Sequence, residues 1–133
     1  MFGRRPDGRR IRGMDPIVQI TPYIMPMRCD AQVFLKHRAD IEAMNRFIRQ
    51  QKTEKQERLS HLHIMIAAYV RALGQNPEIN RFIMNKQYFS RNNCSVALTM
   101  LKDPDNIDQG ETVIKPRFDL TDTIYDVRDR LDI

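Results

Sequence analysis

The longest apolar block of the chain predicts a helix between Ser60 and about Asn76. Its sequence, HLHIMIAAYVRALGQ, is apolar at most positions; Ser60 can cap its start, and Pro77 cannot continue it. A helix that is apolar on most sides is usually covered on most sides. We therefore expect this helix to lie across a sheet.

Two shorter segments have the spacing of amphipathic helices. Asp40 can cap the first, which runs to Gln51, and Thr121 can cap the second. The apolar stripes are Ile41, Met44, Phe47 and Ile48 in the first helix, and Ile124, Val127 and Leu131 in the second.

Alternating or short apolar runs predict the strands. AQVFLKH, residues 31–37, has Ala31, Val33 and Leu35 on one face and Gln32, Phe34 and Lys36 on the other, which predicts a strand with one side buried and the other partly buried. Asn85-Lys86 predicts the turn of a hairpin. The other predicted strands are residues 81–84 and 87–90, which flank that turn, and residues 95–101 and 111–118, which an acidic loop joins.

The first 38 residues have a less regular pattern. Residues 1–15, rich in glycine and arginine, predict a basic flexible arm with a turn at Pro6-Asp7-Gly8. Between Pro16 and Arg38, the prolines exclude a long central strand and predict short edge-like segments. We expect residues 16–133 to form one α+β body, with helices packed on one face of a mixed sheet.

The composition is that of an ordinary globular protein. The chain has 133 residues, of which 41% are hydrophobic and 29% charged, and this size suits one domain. No apolar run approaches the roughly 20 residues that span a bilayer, and the N-terminus lacks the apolar stretch of a signal peptide. Cys29 and Cys94 have no metal-like or redox-like spacing, which favours reduced thiols in a cytoplasmic protein without a membrane partner.

The net charge of +5 is unevenly distributed along the chain. Residues 1–12 contain five arginines against one aspartate, whereas residues 103–133 contain nine acids against four bases. A basic arm can attract nucleic acid, but this arm has no interleaved aromatic residue on which a base would stack. Nucleic-acid binding through the arm is therefore the least favoured alternative.

Few residues have the spacing that catalysis or metal binding requires. His61 and His63 lie two positions apart in the predicted helix and face different directions, which argues against joint metal binding. His37 has no matching carboxylate or cysteine, and Cys94 is better explained as a small core residue than as a nucleophile. We therefore predict no catalytic residue and no metal site in this chain.

The order of these segments resembles the catalytic domain of 2-oxoacid dehydrogenase acyltransferase subunits, which share a fold with chloramphenicol acetyltransferase. The most specific motif is the corner NPEINR, residues 76–81, between the apolar helix and the hairpin. Arg91-Asn92 before SVALTML, the helix ADIEAMNRFIRQQ and the segment PRFDLTDTIYDVRDRL are also similar to the family. The likeness covers residues 22–133 and implies the N-terminal half of a chloramphenicol acetyltransferase-like domain.

The resemblance implies acyl transfer between a lipoyl or coenzyme A thioester and an acceptor, with no covalently bound cofactor. In the family, a His-x-x-x-Asp-Gly motif supplies the general base, and a Ser or Thr in a strand helps to stabilise the oxyanion. The only Asp-Gly of this chain is Asp7-Gly8, with no histidine at that spacing. We expect the chain alone to be inactive, as a fragment or a truncated relative.

The resemblance also implies a substrate channel and an oligomer. By position in the family, Met25, Ala31 and Val33 would face the acyl-acceptor channel at a trimer interface, although plain core positions explain them equally well. Homo-oligomers based on trimers are therefore expected. A non-catalytic module that oligomerises or binds a protein partner is the main alternative function.

Overall fold

The computed structural model describes residues 5–102 and 110–132, and the chain divides into two compact units. Unit 1 comprises Met1–Arg58 and Asn76–Asn92, and unit 2 comprises Leu59–Gln75 and Asn93–Ile133. The sequence instead predicts one body from residue 16 onwards. The mixture of helices and small antiparallel sheets confirms the α+β class. The predicted mixed sheet is wrong, because every strand pair within the described ranges is antiparallel.

The elements follow one another in an order close to the predicted one. In chain order they are β1 (Gly8–Arg10), α1 (Pro16–Ile24), a 3₁₀ helix (Arg28–Ala31), α2 (Glu42–Glu54), α3 (His61–Gln75), a second 3₁₀ helix (Pro77–Asn80), β2 (Arg81–Met84), β3 (Gln87–Arg91), β4 (Cys94–Ser95), β5 (Leu98–Leu101), β6 (Glu111–Ile114), β7 (Arg117–Phe118) and α4 (Ile124–Leu131). No helix in the described part of the chain is both long and apolar enough to cross a membrane.

The predicted hairpin is confirmed and forms the centre of unit 1. Strands β2 and β3 pair through a turn in which Asn85 and Lys86 have φ angles of 48° and 58°. Two successive positive φ angles are typical of the two-residue turns whose twist suits a hairpin. Phe82 and Phe89 lie opposite each other, with stacked rings whose centroids are 5.4 Å apart. This cross-strand pair fixes the register of the hairpin.

Part of the predicted flexible arm belongs to this sheet. Strand β1 pairs antiparallel with β3, and the amide of Asn92 extends the pairing by donating to the carbonyl of Asp7. Gly8 is buried. A β-carbon at this position would lie only 2.7 Å from the ring of Phe82 and 2.7 Å from the carbonyl oxygen of Ser90. Glycine thus permits an approach that a side chain would prevent. Residues 1–4 of the arm lie outside the described residues.

The edge-like segments predicted after Pro16 are wrong, because this region is largely helical. Asp15 caps α1 by accepting a hydrogen bond from the amide of Ile17, and Pro16 occupies the first turn, where its missing amide proton costs nothing. Pro22 lies inside the same helix. This Asp-Pro start is a known helix signal, and it could have corrected the prediction.

The strand predicted at residues 31–37 does not form. Ala31 ends the first 3₁₀ helix, and residues 32–41 have no regular structure before α2. Val33, Phe34 and Leu35 are 86%, 88% and 93% exposed. A strand needs a neighbour for its backbone amides and carbonyls, and no described residue provides one here. Helix α2 forms as predicted, with Asp40 accepting from the amide of Glu42, but its apolar stripe is not buried.

Unit 2 contains the well-packed core of the described chain. Its buried apolar side chains come from α3, from α4 and from the strands between them. They are Ile66, Val70, Leu73, Cys94, Phe118, Val127 and Leu131. The predicted full coverage of α3 is wrong, because Leu62, Met65 and Tyr69 are exposed on this helix. Helix α3 therefore buries one stripe rather than most of its surface.

The predicted strands at residues 95–101 and 111–118 form one interrupted ribbon. Leu98 lies opposite Ile114 in the pair β5–β6, and Cys94 lies opposite Phe118 in the pair β4–β7, so both pairs share one register. The ladder breaks near Pro116, which has no amide proton to donate. The acidic loop prediction falls largely on residues 103–109, outside the described residues. The ribbon supplies Cys94 and Phe118 to the core.

Helix α4 confirms the predicted apolar stripe but begins later than predicted. Its N-cap is Thr123 rather than Thr121. Thr123 and Asp126 form a capping box, in which each side chain accepts from the backbone amide of the other residue. The Thr123 hydroxyl also donates to Asp126, and this hydrogen bond, followed by the one from the Thr123 amide, holds the pKa of Asp126 below its ordinary value.

Candidate functional site

Two of the three predicted channel residues line one cavity in unit 1. This hairpin cavity, of about 900 Å³, lies between the chain that follows α1 and the hairpin β2–β3. Met25 and Ala31 line it, whereas Val33 does not. The structure thus brings Met25 and Ala31 together and leaves Val33 exposed on the surface. Their role in an acyl channel stays a prediction.

The hairpin cavity combines apolar walls with arginines. Met25, Met27 and Met84 supply flexible, polarisable surface. Arg81 reaches Glu78, with an N–O distance of 3.4 Å, and the guanidinium of Arg91 lies 4.7 Å from the ring centroid of Phe82. A cavity of this chemistry suits a ligand with an apolar part, which methionines accept, and an anionic part, which arginines accept.

The cavity nevertheless offers no general base of the expected kind. Its described walls contain no histidine, aspartate, glutamate or cysteine. Its cationic residues are three arginines, which stay protonated, and Lys86, whose ammonium lies 4.6 Å from the ring centroid of Tyr23. These walls can therefore bind a substrate but cannot deprotonate a thiol or a hydroxyl in the way that a histidine does.

Ser60, His63 and Asp132 of unit 2 lie close together, but their geometry is structural. The hydroxyl of Ser60 accepts a hydrogen bond from the backbone amide of His63, with an N–O distance of 3.3 Å. In return, Nδ1 of His63 accepts from the amide of Ser60 over 3.2 Å. Each of these two bonds joins a side chain to a backbone amide, so this set is a helix cap in which histidine replaces the usual Glu or Gln.

Asp132 completes this cluster. Nε2 of the buried His63 lies 3.3 Å from Oδ1 of Asp132, whose side chain is half exposed. Because Nδ1 accepts an amide proton, a neutral ring carries its proton on Nε2 and can donate it to this carboxylate. The imidazole therefore connects the start of α3 with the end of α4. His61, its neighbour in α3, is exposed.

The two cysteines differ in environment, and both are free. Cys29 is exposed on the first 3₁₀ helix, whereas Cys94 is buried in the core of unit 2. Burial raises the pKa of the Cys94 thiol, and the nearby charge of Asp122 raises it further. A buried thiol with a raised pKa is a poor nucleophile, as the sequence predicts. Within the described ranges, no group of three or more His, Cys, Asp or Glu side chains is arranged to hold a metal ion.

Unit 1 exposes far more apolar surface than a self-contained domain does. Of its described large hydrophobic side chains, Phe89 is the one that is buried. The exposed set includes Ile17, Ile20, Tyr23, Ile24, Met27, Val33, Phe34, Leu35 and Ile41. Exposed apolar residues of this number are typical of surfaces that contact another molecule. The sequence alternation at 31–37 predicted one buried face of this region but not its exposure.

Comparison of the chain with protein-family models, with curated proteins and with solved structures finds no match. The function has to be inferred from the residues and their arrangement.

Proposed function

We propose that this chain is the N-terminal half of an acyltransferase-type domain with a chloramphenicol acetyltransferase-like fold. When a second polypeptide segment completes the domain, it transfers acyl groups between a lipoyl or coenzyme A thioester and an acceptor. The observation that carries the proposal is the exposed segment Val33–Leu35. Its alternating sequence requires a sheet partner that the described residues do not supply.

Three further features support this proposal. The segments follow the family order, with α3 leading through the 3₁₀ helix at Pro77–Asn80 into the hairpin. The hairpin cavity has walls suited to a thioester arm and lacks a base, so the completing segment would supply the histidine. Both thiols are free, which fits the reducing cytoplasm where such thioester chemistry operates.

The proposal is tested by complementation. Acetyl transfer from acetyl-CoA to dihydrolipoamide is measured with the chain alone and after refolding with the C-terminal half of a 2-oxoacid dehydrogenase acyltransferase domain that contains His-x-x-x-Asp-Gly. We expect the uncatalysed rate for the chain alone and enzymatic turnover for the mixture. Turnover of about 1 s⁻¹ or faster by the chain alone would contradict the proposal, since enzymes commonly work at or above that rate.

A matched pair of variants locates the contact. Leu35→Asp places a charge in the segment that should pair with the completing half, and it should abolish the gained activity. Val113→Asp places the same charge on another exposed apolar position, on β6 of unit 2, and should leave the gained activity largely intact. Equal losses of the gained activity in the two variants would show that Leu35 does not lie at the contact with the completing half.

A non-catalytic module that oligomerises is the second candidate, and the exposed apolar surface of unit 1 favours it. In that case the chain covers this surface with other copies of itself, as trimers if the resemblance holds. Sedimentation would then give one defined oligomer across a range of concentrations. A stable oligomer that gains no activity from the C-terminal half would support the module and contradict the half-domain.

A further inference from the structure

A second cavity of unit 1 combines positive charge with aromatic surface. This arm cleft, of about 570 Å³, lies between α1, the chain that follows β1 and the turn of the hairpin. Arg10 and Arg12 line it from the first segment, Tyr23 from α1, and Lys86 and Tyr88 from the hairpin. Its walls include none of the predicted channel residues.

The positive charge of the arm cleft is not neutralised by neighbouring acids. No aspartate or glutamate belongs to its described walls. Arg10, Arg12 and Lys86 make no ion pair with a carboxylate in the described part of the chain. Asp15, the acid next to the cleft in sequence, is used as the cap of α1. Three cations without a carboxylate partner, one of which lies against the ring of Tyr23, attract an anionic ligand.

The backbone holds these cations in place. Arg10 belongs to β1, opposite Phe89, and the amide of Ile11 continues the pairing by donating to the carbonyl of Tyr88 over 2.9 Å. Arg10 and Arg12 alternate along this extended chain, so both side chains can reach one face. The charge is therefore presented by a paired strand rather than by a free arm.

Two tyrosines outside the arm supply aromatic surface to the cleft. Tyr23 is 61% exposed, and Lys86 lies 4.6 Å from its ring centroid. Tyr88 is half-buried on β3, which orders its ring. Sequence reasoning missed this arrangement because β3, which carries Tyr88, lies far from the arm in sequence, and because α1, which carries Tyr23, was not predicted as a helix.

We propose that the arm cleft binds single-stranded nucleic acid, with a base stacked on Tyr23 and the backbone phosphates at Arg10, Arg12 and Lys86. Grooves that bind single strands combine cations that follow the phosphates with aromatic rings on which bases stack. The cleft volume lies within the range of small-ligand sites and suits one nucleotide unit of a strand. A duplex, whose bases are already stacked, cannot use the tyrosine in this way.

The test is fluorescence anisotropy with labelled oligo(U) and oligo(dT) of about twelve nucleotides, titrated at several salt concentrations. Three phosphate contacts predict a slope of log K against log salt of about −2, because single strands give about −0.7 for each neutralised phosphate. Arg10→Gln, Arg12→Gln and Lys86→Gln should each reduce the slope by about 0.7. Tyr23→Leu should weaken binding about tenfold without changing the slope, since stacking is not ionic.

Two substitutions elsewhere act as matched controls. Lys52→Gln removes one exposed positive charge from α2, and Tyr69→Leu removes one exposed tyrosine from α3. Both should leave the affinity and the slope unchanged. Circular dichroism is used to check that each variant keeps its helices. If the Arg10 variant in β1 loses its fold, the Lys86 variant in the hairpin turn still tests the proposal.

Four results would overturn the proposal. Equal weakening by Lys52→Gln and Arg12→Gln would indicate diffuse attraction to a basic protein. Equal affinity for duplex and single strand would exclude stacking on Tyr23. Mononucleotides that bind as tightly as the oligonucleotides would indicate a free-nucleotide site rather than a strand site. Binding to vesicles of anionic lipid but to no oligonucleotide would assign the cleft to a membrane surface.

Discussion

Replacement of His63 tests whether the cluster of Ser60, His63 and Asp132 is a helix cap. His63→Ala removes the acceptor for the Ser60 amide, the contact with Asp132 and a buried ring. A lost hydrogen bond costs about 1 kcal/mol, and truncation of a buried side chain adds roughly 2 kcal/mol. We expect unit 2 to lose about 3 kcal/mol of its free energy of unfolding.

His63→Gln provides the decisive comparison. A glutamine at the third helical position accepts from the N-cap amide in ordinary capping boxes, so this variant keeps the bond to Ser60 and loses mainly packing. We expect a loss of about 1 kcal/mol, which leaves a difference of about 2 kcal/mol between the two variants. With a urea dependence near 2 kcal/mol per molar, the two unfolding midpoints should differ by about 1 M.

Urea unfolding followed by far-ultraviolet circular dichroism measures these losses, with His61→Ala as the control. His61 is exposed at the start of the same helix, and its replacement should change stability by less than about 0.5 kcal/mol. Ser60→Ala should cost about 1 kcal/mol, the usual value for an N-cap. Equal destabilisation by His63→Ala and His63→Gln would refute the cap, because the acceptor at Nδ1 would then have no effect.

Three further changes have expected outcomes. Gly8→Ala forces a β-carbon against the carbonyl of Ser90, so the pairing of β1 should weaken by about 1–3 kcal/mol and the Ile11 amide should exchange faster. Cys29 should react with a thiol reagent at once, and Cys94 only on unfolding. Because burial raises the pKa of Cys94, the free energy of unfolding should fall as the pH rises above the ordinary thiol range. Cys94→Ala should remove this fall. The lowered pKa of Asp126 contributes stability at pH values above the ordinary carboxyl pKa, and this stability is lost as the pH falls through the lowered pKa. Asp126→Asn should flatten this acid dependence, as measured by urea unfolding at several pH values.

The sequence predicts the locally encoded elements of this fold well. Ser60 begins α3 as predicted, and Asn85-Lys86 turns the hairpin, because caps and tight turns depend on a few adjacent residues. The stripe of α4 is also confirmed, since Val127 and Leu131 meet the stripe of α3. The wrong start of α4 has the same local origin: two threonines compete as caps, and Asp126 selects Thr123 by completing the capping box.

Predictions that depend on distant partners were less successful. The surroundings of α3 could not be inferred from its apolar sequence, because Met65 and Tyr69 stay exposed. The arm joins the sheet only because Gly8 fits beneath Phe82, a contact between residues far apart in sequence. The hairpin cavity likewise brings Met25 and Ala31 beside Met84, and no local pattern indicates that these residues lie close together.

The two units differ in one physical respect that bears on function. Unit 2 packs side chains of α3, α4 and the strand ribbon around one core. Unit 1 carries an equally clear strand pattern at residues 31–37, yet Val33 and Leu35 remain exposed. An apolar strand face that stays exposed to water costs free energy. The pattern therefore indicates a neighbouring element that would cover this face. Under the proposed function, a partner of unit 1 would supply the catalytic base, and identification of the sheet edge that pairs with residues 31–37 would decide between a completed acyltransferase and an oligomer of this chain.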